Sequence, residues 1–431
     1  MANGRLLVQI ASYNTNLQGD SGLPQDLVDW LAPTLQASRA RQSERRPLDI
    51  VAVGFQELVP LHLGLAGLSG PVVDSRDELI LSQIEAHAPN KERYSLIAKV
   101  VNVGVALLVY GRDEGVARRV CDVQTQWTGC GPAYMGNKGA VGVRFRVAHQ
   151  DSGVGEVYTF VCAHLTAHGH KLAQRVHDYH HIVGTLLFPP LPGTSSTKPT
   201  TIYSTSHLFF FGDLNFRLAI PPGHPASSLS RTEFARKLTS EAQRLALKEF
   251  DQLYQERDIK FNIFASLREA DFWKFICSYK YKLGETVMFD FKRLPAWTDR
   301  IMYTSYADSP DTPRESTISN LLYTIIPSYT TSDHKPIVSL LQLPPSTFAP
   351  NATTPPVLHL PATYKPQPDR LAIPKRYIGR IIGRFIGYCW CLLVLVGAGS
   401  LGLGVANSII GLGIWGWWKS RWFASGTPRR T

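Results

Sequence analysis

Side chains that can bind a divalent cation or move a proton recur in this sequence directly after short apolar runs. They are Asn14, Glu57, His164, Asp213, Asn215 and His334. Taken singly, such residues more often form a turn, cap a helix or sit in a core. Their recurrence at five separate places predicts that several strand ends meet in one enzyme site, because such sites are built on loops that a rigid scaffold positions.

The apolar runs that carry these side chains are short and rich in β-branched residues, which is typical of buried strands. The predicted strands cover residues 6–13, 49–56, 157–165, 207–212 and 337–341. Helix-like periodicity predicts helices over residues 24–32, 168–188 and 231–257. The mixture of strands and helices indicates one large α/β domain, which we place at residues 1–343.

The net charge of +11 is concentrated at the C-terminal end of the chain. Residues 344–431 contain ten basic residues and one acidic residue, so only about +2 remains for residues 1–343. So little positive charge argues against nucleic acid as a partner, because binding to a phosphate backbone needs many cations. Six cysteines without a C-x-x-C pair, and no apolar signal segment near residue 1, favour the reducing cytosol.

The C-terminal part of the chain predicts a linker followed by a membrane anchor. Residues 344–374 are rich in proline and predict an extended linker. Residues 385–418 lack any formal charge. As one straight helix they would span ~51 Å, which is too long for a hydrocarbon core of ~30 Å. Two full crossings need ~40 residues, so the stretch is too short for those. We therefore expect residues 375–431 to form a membrane anchor, either a shallow hairpin bent at residues 406–408 or one tilted helix.

Two longer motifs carry a family resemblance: FFGDLNFR at residues 210–217 and PAWTDRI at residues 295–301. Shorter matches are MGNKG at residues 135–139, HLTAH at residues 164–168 and SYKY at residues 278–281. With these motifs, residues 5–343 resemble the inositol polyphosphate 5-phosphatases, a branch of the deoxyribonuclease-I-like, metal-dependent phosphoesterases. The resemblance implies a four-layer α/β sandwich, two packed mixed β-sheets flanked by helices, followed here by the membrane helix or hairpin.

The resemblance also implies a magnesium site. Glu57 is similar to the family's metal-binding carboxylate, and Asn14 stands beside it in the family pattern. Asp213 is expected to take a proton from the attacking water, and Asn215 to orient that water or the phosphate. Mg²⁺ suits such a site because it prefers hard oxygen ligands and neutralises a phosphate dianion that would otherwise repel the attacking hydroxide.

Two histidines complete the implied catalytic set. His334 is expected to donate to a phosphoryl oxygen, where negative charge grows in the transition state. Asp299 is placed by the family pattern to hold His334 charged and in one orientation. His164 resembles a second histidine near the scissile phosphate, and Asp333 either pairs with the metal site or braces its loop.

Basic and aromatic residues near two of the motifs resemble the family's contacts to the phosphates that are not cleaved. These are Tyr279, Lys280, Lys292 and Arg293, with Lys138 and Arg175 as weaker candidates of the same kind. Outside the motif context, each of these cations would be interpreted as a solvated surface charge. The prediction of the substrate contacts therefore depends on the family resemblance more than the prediction of the catalytic residues does.

The expected reaction is hydrolysis of the 5-phosphate of phosphatidylinositol 4,5-bisphosphate at a cytosolic membrane face, by a monomer. The endoplasmic reticulum is the favoured membrane, with the mitochondrial outer membrane as the alternative. A phosphodiesterase acting on a sphingomyelin-like lipid or on nucleic acid is disfavoured by the PAWTDRI motif. An idle scaffold that binds phosphoinositides without cleaving them is disfavoured because every catalytic side chain named above is present.

Overall fold

The protein is described by a computed structural model over residues 5–17, 46–149, 154–191, 197–346, 353–397 and 401–424. Within these residues, the strands are β1 Leu7–Asn14, β2 Ile50–Gln56, β3 Tyr94–Asn102, β4 Val105–Arg112, β5 Val120–Gly129, β6 Gly139–Ala148, β7 Gly155–His164, β8 His207–Asp213, β9 Asp299–Ser305, β10 Ser319–Ile325 and β11 Ile337–Gln342. The longer helices are α1 Leu61–Ala66, α2 Gly70–His87, α3 Leu172–Thr185, α4 Arg231–Lys237, α5 Glu241–Leu247, α6 Ala372–Leu395 and α7 Leu401–Ala424. Short helical turns lie at Ala117–Arg119, Pro132–Tyr134, Pro225–Ser228, Lys248–Phe250, Gln252–Tyr254, Gln255–Ile259 and Phe272–Lys274.

The strands form two mixed sheets. The first has the order β10-β11-β1-β2-β4-β3, and the second has the order β5-β6-β7-β8-β9. Strands β1 and β2 pair in parallel, as do β7 and β8, and the other neighbours are antiparallel. The parallel pairs bring the carboxyl ends of two strands to the same edge of each sheet.

Alternating side chains along each strand separate the layers. In β8, Phe209 and Phe211 point between the two sheets, while Leu208 and Phe210 pack under α3 with Tyr179. A third apolar cluster joins α2 to the outer face of the first sheet. The layer order of helix, sheet, sheet and helix confirms the predicted four-layer α/β sandwich.

All five predicted strands are present and agree with the structure to within two residues at either end.

Helix α3 lies inside the helix predicted over residues 168–188, and the helix predicted over residues 24–32 lies outside the described residues. The single helix predicted over residues 231–257 is wrong, because short helices and turns replace it. The Thr239 hydroxyl donates to the Arg236 carbonyl at 2.7 Å, and the Asp251 carboxylate caps a new turn at Tyr254 N. Short polar side chains of this kind compete with helical hydrogen bonds.

The proline-rich segment is extended, as its composition indicates, but it is not a free spacer. Leu358 is buried, and its amide donates to the Thr205 carbonyl at 2.9 Å. The Asp369 amide donates to the Gly184 carbonyl at 2.8 Å, so the segment reaches the end of α3. The domain boundary at residue 343 stays a prediction, and a chain shortened there would lose these contacts.

Residues 372–424 form two helices instead of one continuous stretch. Helix α6 ends at Leu395, and Gly397 then has a φ of 89°, which glycine adopts readily after a helix. The bend predicted at residues 406–408 is wrong, because those residues lie inside α7. By length and composition alone, α6 is long and apolar enough to cross a membrane.

Candidate active site

Strand register brings the predicted site residues to one edge of the two sheets. Asn14 lies opposite Gln56, the residue before Glu57, on parallel neighbours. His164 lies opposite Asp213, and Asp213 lies opposite Asp299 on the next strand. These pairings explain why residues almost 300 positions apart meet: each is the last or first residue of a strand, or directly adjoins one.

The Asp213 carboxylate is the centre of this cluster. Its Oδ2 atom lies 3.0 Å from Asn14 Nδ2, 3.0 Å from Asn215 Nδ2 and 3.3 Å from His164 Nε2. Burial alone would raise the pKa of Asp213, but His334 and His164 outweigh burial and hold that pKa well below its usual range. Asp213 is therefore ionised at neutral pH and is surrounded by hydrogen-bond donors.

Asn215 adopts a left-handed backbone conformation, with φ of 57°, which asparagine tolerates better than most residues. This conformation turns its backbone N–H toward Asp213 Oδ1 at 3.1 Å. Its side-chain Nδ2 also donates to the Leu165 carbonyl at 3.1 Å. The side chain of Asn215 is thus fixed from two directions beside the Asp213 carboxylate.

His334 is held between two carboxylates. Its Nδ1 atom lies 2.9 Å from Asp299 Oδ2, and its Nε2 atom lies 4.0 Å from Asp213 Oδ2. The hydroxyls of Ser278 and Thr298 donate to the same Asp299 oxygen at 2.7 and 2.9 Å. Burial by itself would lower the pKa of His334, but Asp299 and Asp213 outweigh burial and raise it to about 9. The imidazole is therefore a cation at neutral pH, with Nε2–H on the side of Asp213.

Glu57 and Asn14 fit a hard divalent cation. Glu57 Oε1 lies 3.7 Å from His164 Nε2 and 3.8 Å from Lys138 Nζ, beyond hydrogen-bond distance, and its side chain is 30% exposed. The Asn14 side-chain oxygen accepts from the Asn16 amide at 3.0 Å and keeps a second lone pair. Both are oxygen ligands of the kind that Mg²⁺ prefers.

A second set of possible ligand atoms lies deeper in the cluster. Asp213, Asp299 and His334 each offer one such atom, and these atoms lie within 4.8 Å of one another. Nδ1 of His334 is already hydrogen-bonded to Asp299 Oδ2 at 2.9 Å. Both sets offer atoms that a divalent cation can bind, and Glu57 with Asn14 stays the predicted metal site.

One predicted substrate residue, Tyr279, borders His334, and another, Lys280, follows it in the chain. The Tyr279 ring lies 4.5 Å from the His334 ring, and the Arg217 guanidinium lies 4.3 Å from the centre of the Tyr279 ring. Lys280 Nζ is 2.6 Å from Asp333 Oδ2, so Asp333 braces this loop instead of joining the metal pair. Lys280 remains partly exposed beside the site, where a phosphate could compete with Asp333 for its charge.

Two further substrate candidates, Lys138 and Arg293, line or adjoin a cavity of about 790 Å³. Lys138 Nζ contacts the His164 ring on one side and lines this cavity on the other, and burial lowers the pKa of Lys138. Arg293 Nη1 lies 3.2 Å from Nδ1 of His168, another cavity residue. The Lys292 backbone amide donates to Asp290 Oδ1 at 3.0 Å.

One predicted substrate residue was misassigned and one residue was missed. Arg175 is fully buried and donates to the Thr166 and His168 carbonyls at 3.1 and 2.6 Å, so it braces a loop and is not available to a substrate. Arg217 was not assigned a role, yet it contacts the Asn215 side chain and the Tyr279 ring. Its position two residues after Asn215, in the series 213, 215 and 217, was a signal that it faces the same side.

Comparison with known proteins places this geometry in a family. Residues 11–340 match the family model described as endonuclease/exonuclease/phosphatase family 2. Synaptojanin-2 of Rattus norvegicus is 31% identical over 296 residues, which cover 68% of this chain and 18% of the rat protein. Type IV inositol polyphosphate 5-phosphatase 9 of Arabidopsis thaliana is 28% identical over 290 residues, which cover 61% of this chain and 64% of that protein. The chain thus spans only about a fifth of the synaptojanins it matches.

Two solved structures have a fold similar to that of this chain, although the two proteins carry different names and bind different ligands. The inositol polyphosphate 5-phosphatase domain of SPsynaptojanin, in complex with inositol (1,4)-bisphosphate and calcium ion, is 25% identical with a TM-score of 0.59 and covers 79% of this chain and 84% of that one. A Cimex nitrophorin reaches a TM-score of 0.54 at 18% identity, covering 79% of this chain and 99% of that one, and so shows the fold alone. By its family match, its motifs and these relatives, the chain belongs to the inositol polyphosphate 5-phosphatase branch of the endonuclease/exonuclease/phosphatase family.

Proposed function

We propose that this protein is a magnesium-dependent phosphatase that removes the 5-phosphate of phosphatidylinositol 4,5-bisphosphate at a cytosolic membrane face. The observation that carries this proposal is the arrangement around Asp213: the Asn14 and Asn215 side-chain amides donate to it at 3.0 Å, and His164 and His334 lie at 3.3 and 4.0 Å. The inositol (1,4)-bisphosphate in the related crystal structure lacks a phosphate at position 5, as the product of such a reaction would.

Asp213 acts as the base in this proposal, and Asn215 holds the attacking water against it. The low pKa of Asp213 makes it a weak base while the charge of His334 lies beside it. A phosphate dianion in the site would draw the hydrogen bond of His334 to itself, and the pKa of Asp213 would then rise toward the value that proton transfer needs. Substrate binding therefore activates the base.

His334 and Lys138 supply positive charge from the protein. The Nε2–H of His334 points to the side of Asp213, where the phosphoryl oxygens would lie, and donates more strongly as their charge grows. Lys138 sits between His164 and the cavity, within reach of the same phosphate. A Mg²⁺ ion held by Glu57 and Asn14 would neutralise further charge on the phosphoryl group.

The uncleaved phosphates of the inositol ring are assigned to the Tyr279, Lys280 and Arg293 region. Lys280 is held in place by Asp333, and Arg293 lies against His168 at the cavity wall. Both cations lie within a few residues of the SYKY and PAWTDRI motifs. Lys292, whose backbone amide donates to Asp290, is assigned a lesser part, the electrostatic attraction of the lipid.

Attachment to a membrane is the second part of the proposal. Helix α6 passes the length and composition test for a membrane span, and α7 is uncharged from residue 401 to residue 418. With the body on the cytosolic side, the substrate lipid and the enzyme would share one surface, which raises their effective concentration. The endoplasmic reticulum is our proposed membrane, and imaging of a tagged full-length chain with organelle markers tests it.

The reaction is tested by identifying the product. The full-length chain in vesicles containing phosphatidylinositol 4,5-bisphosphate should yield phosphatidylinositol 4-phosphate when Mg²⁺ is present, as read by chromatography of the deacylated lipid. A matched control is the Asp311→Ala variant, which removes an exposed carboxylate that is not among the predicted site residues. Release of the 4-phosphate, or no release at all, would overturn the assignment.

A further inference from the structure

Helix α6 is docked against the catalytic body through a row of three glycines. Gly379, Gly383 and Gly387 are spaced four residues apart and are all buried. A Cβ atom at Gly379 would lie 1.9 Å from the Tyr134 carbonyl oxygen, and one at Gly387 would lie 2.3 Å from the Ala66 nitrogen. The backbones therefore approach so closely that only glycine fits at these two positions.

Basic side chains of α6 strengthen the same contact. Arg384 donates to the Ala66 carbonyl, and Arg376 donates to the Thr185 carbonyl at 3.2 Å. The Arg380 guanidinium lies 3.5 Å over the Trp127 ring. These arginines directly precede the charge-free residues 385–418, and in the structure they contact the body.

The docked helix touches both segments that lead into the active site. It packs on α1, which begins four residues after Glu57, and on the turn at Pro132–Tyr134, which precedes Lys138. Lys375 Nζ lies 5.4 Å over the Tyr134 ring, and Tyr134 lines the cavity that contains Lys138. The first turn of α6 therefore contacts the wall of the cavity that Lys138 lines.

The opposite face of α6 is apolar and exposed. Its members recur every three or four residues: Tyr377, Ile381, Phe385, Tyr388 and Leu392. The two central residues, Ile381 and Phe385, are 67% and 70% exposed. Because these apolar side chains occupy one continuous face of the helix, we expect that face to be buried against a partner or a lipid surface.

Helix α7 indicates that the apolar face of α6 is buried against lipid. It starts six residues after the end of α6, and its uncharged residues 401–418 span ~27 Å, close to a hydrocarbon core of ~30 Å. Helix α6 itself carries four cations up to Arg384, which leaves only 385–395, or ~16 Å, free of charge. A crossing by α6 would pull three arginines off the body and into the bilayer, where charge is strongly disfavoured.

We propose that α6 lies along the membrane surface between the catalytic body and the lipid, and that α7 alone enters the bilayer. Helix α6 then sets the height and tilt of the active-site cavity over the lipid headgroups, beyond simple tethering. That the substrate is a membrane lipid rests on the proposed function, whereas the position of α6 does not. The surface residues that meet lipid are the apolar face from Tyr377 to Leu392.

Two native cysteines in α6 allow the position of the helix to be measured. Cys389 is exposed, whereas Cys391 Sγ contacts the His62 carbonyl of the body at 3.8 Å. In full-length protein with Cys121, Cys130 and Cys391 replaced by serine, a fluorophore on Cys389 should be quenched more by lipids labelled near the headgroup than by lipids labelled near the chain ends. Fluorophores on Leu245→Cys, exposed on the body, and on Ile410→Cys, exposed in α7, give the aqueous and deep references. Quenching that matches either reference would overturn the proposal.

Activity on two forms of substrate tests the consequence. The Ile381→Glu/Phe385→Glu double variant should lower turnover of vesicle-borne phosphatidylinositol 4,5-bisphosphate at least tenfold, while turnover of soluble inositol 1,4,5-trisphosphate stays within twofold of wild type. Leu245→Glu, the same change on an exposed body helix, should alter neither rate. An unchanged ratio of the two rates would overturn the proposal, whereas wild-type protein inactive on both substrates would defeat only the proposed function and leave the quenching result to decide.

Discussion

His334 Nδ1 lies 2.9 Å from Asp299 Oδ2, and this pair fixes the electrostatic state of the candidate site. Asp299 opens β9 directly opposite Asp213 at the end of β8, so sheet register places a carboxylate on each side of one imidazole. The ring is thereby held as a cation, and Asp213 as an anion, in a buried setting. Charged hydrogen-bond donors and acceptors that are fixed before the substrate arrives are what phosphate hydrolysis requires.

The rate should depend on pH through His334. Its pKa of about 9 lies above the ordinary histidine value, so the proton is present at neutral pH and is lost as pH rises through about 9. We expect the rate to fall ~10-fold for each pH unit beyond that point, because only the protonated form donates to phosphate. The residual activity of His334→Asn should lack this alkaline limb. An identical limb in the variant would contradict the assignment.

Removing the charge of Asp299 should move that alkaline limb. In Asp299→Asn the largest effect that raises the pKa of His334 is lost, while burial still lowers it. We expect the limb to shift downward from pH 9 and the rate at pH 8 to fall ~10- to 100-fold. Rate profiles between pH 6 and 10 measure both effects, with Asp311→Asn on the surface as the matched change. A limb that stays in place would show that Asp299 does not set the charge of His334.

The strand ends could be predicted from the sequence, but side-chain partnerships could not. Asn14, His164 and Asp213 each end a run of buried β-branched or aromatic residues, so their positions follow from local patterns. Arg217 was missed because its place in the site depends on its contact with Tyr279, which is far along the chain. Arg175 was misassigned because burial and bonding to loop carbonyls leave no local trace in sequence.

The helical parts were predicted less well, for two physical reasons. Helix α2 at Gly70–His87 was not predicted, and the region 231–257 was joined into one helix although Asp251 caps a separate turn. In the tail, glycine spacing alone does not distinguish a helix that packs in lipid from one that packs on protein. Only the contacts of Gly379 and Gly387 with the body show which applies to α6.

Loss of the Glu57 charge should weaken metal binding more than it changes the fold. Glu57 is 30% exposed and makes no contact closer than 3.7 Å with His164 or Lys138, so Glu57→Gln should fold normally. We expect the Mg²⁺ concentration for half-maximal rate to rise ~10- to 100-fold. A Mg²⁺ titration of the rate, with Glu315→Gln as an exposed control, measures the shift. An unchanged titration would assign the metal to other ligands.

Arg300 should be a large contributor to stability. It is fully buried and bonds to Asp251 at 2.9 Å and to Glu269 at 2.5 Å. Arg300→Leu would leave the buried Asp251 carboxylate without its cation and Glu269 with Arg257 alone, at 2.9 Å, and we expect ~3–5 kcal/mol less free energy of unfolding. Urea unfolding in detergent, followed by tryptophan fluorescence, measures this loss.

The control for that measurement is an exposed ion pair. Arg93 lies 3.2 Å from Glu85 with its side chain 77% exposed, so Arg93→Leu should cost no more than ~1 kcal/mol. Similar losses for the two variants would mean that the buried network around Arg300 contributes little. A loss confined to Arg300→Leu would support its role in holding the start of β9, and hence Asp299, in place.

The central claim is that Asp213 and a divalent cation together hydrolyse a phosphate ester. It is tested most directly by phosphate release from vesicle-borne phosphatidylinositol 4,5-bisphosphate with full-length wild-type and Asp213→Asn protein, each with Mg²⁺ and with a chelator. We predict release by wild type that the chelator abolishes, and a rate ~10³-fold or more lower for Asp213→Asn. Release that persists without metal, or an equal rate from Asp213→Asn, would contradict the account.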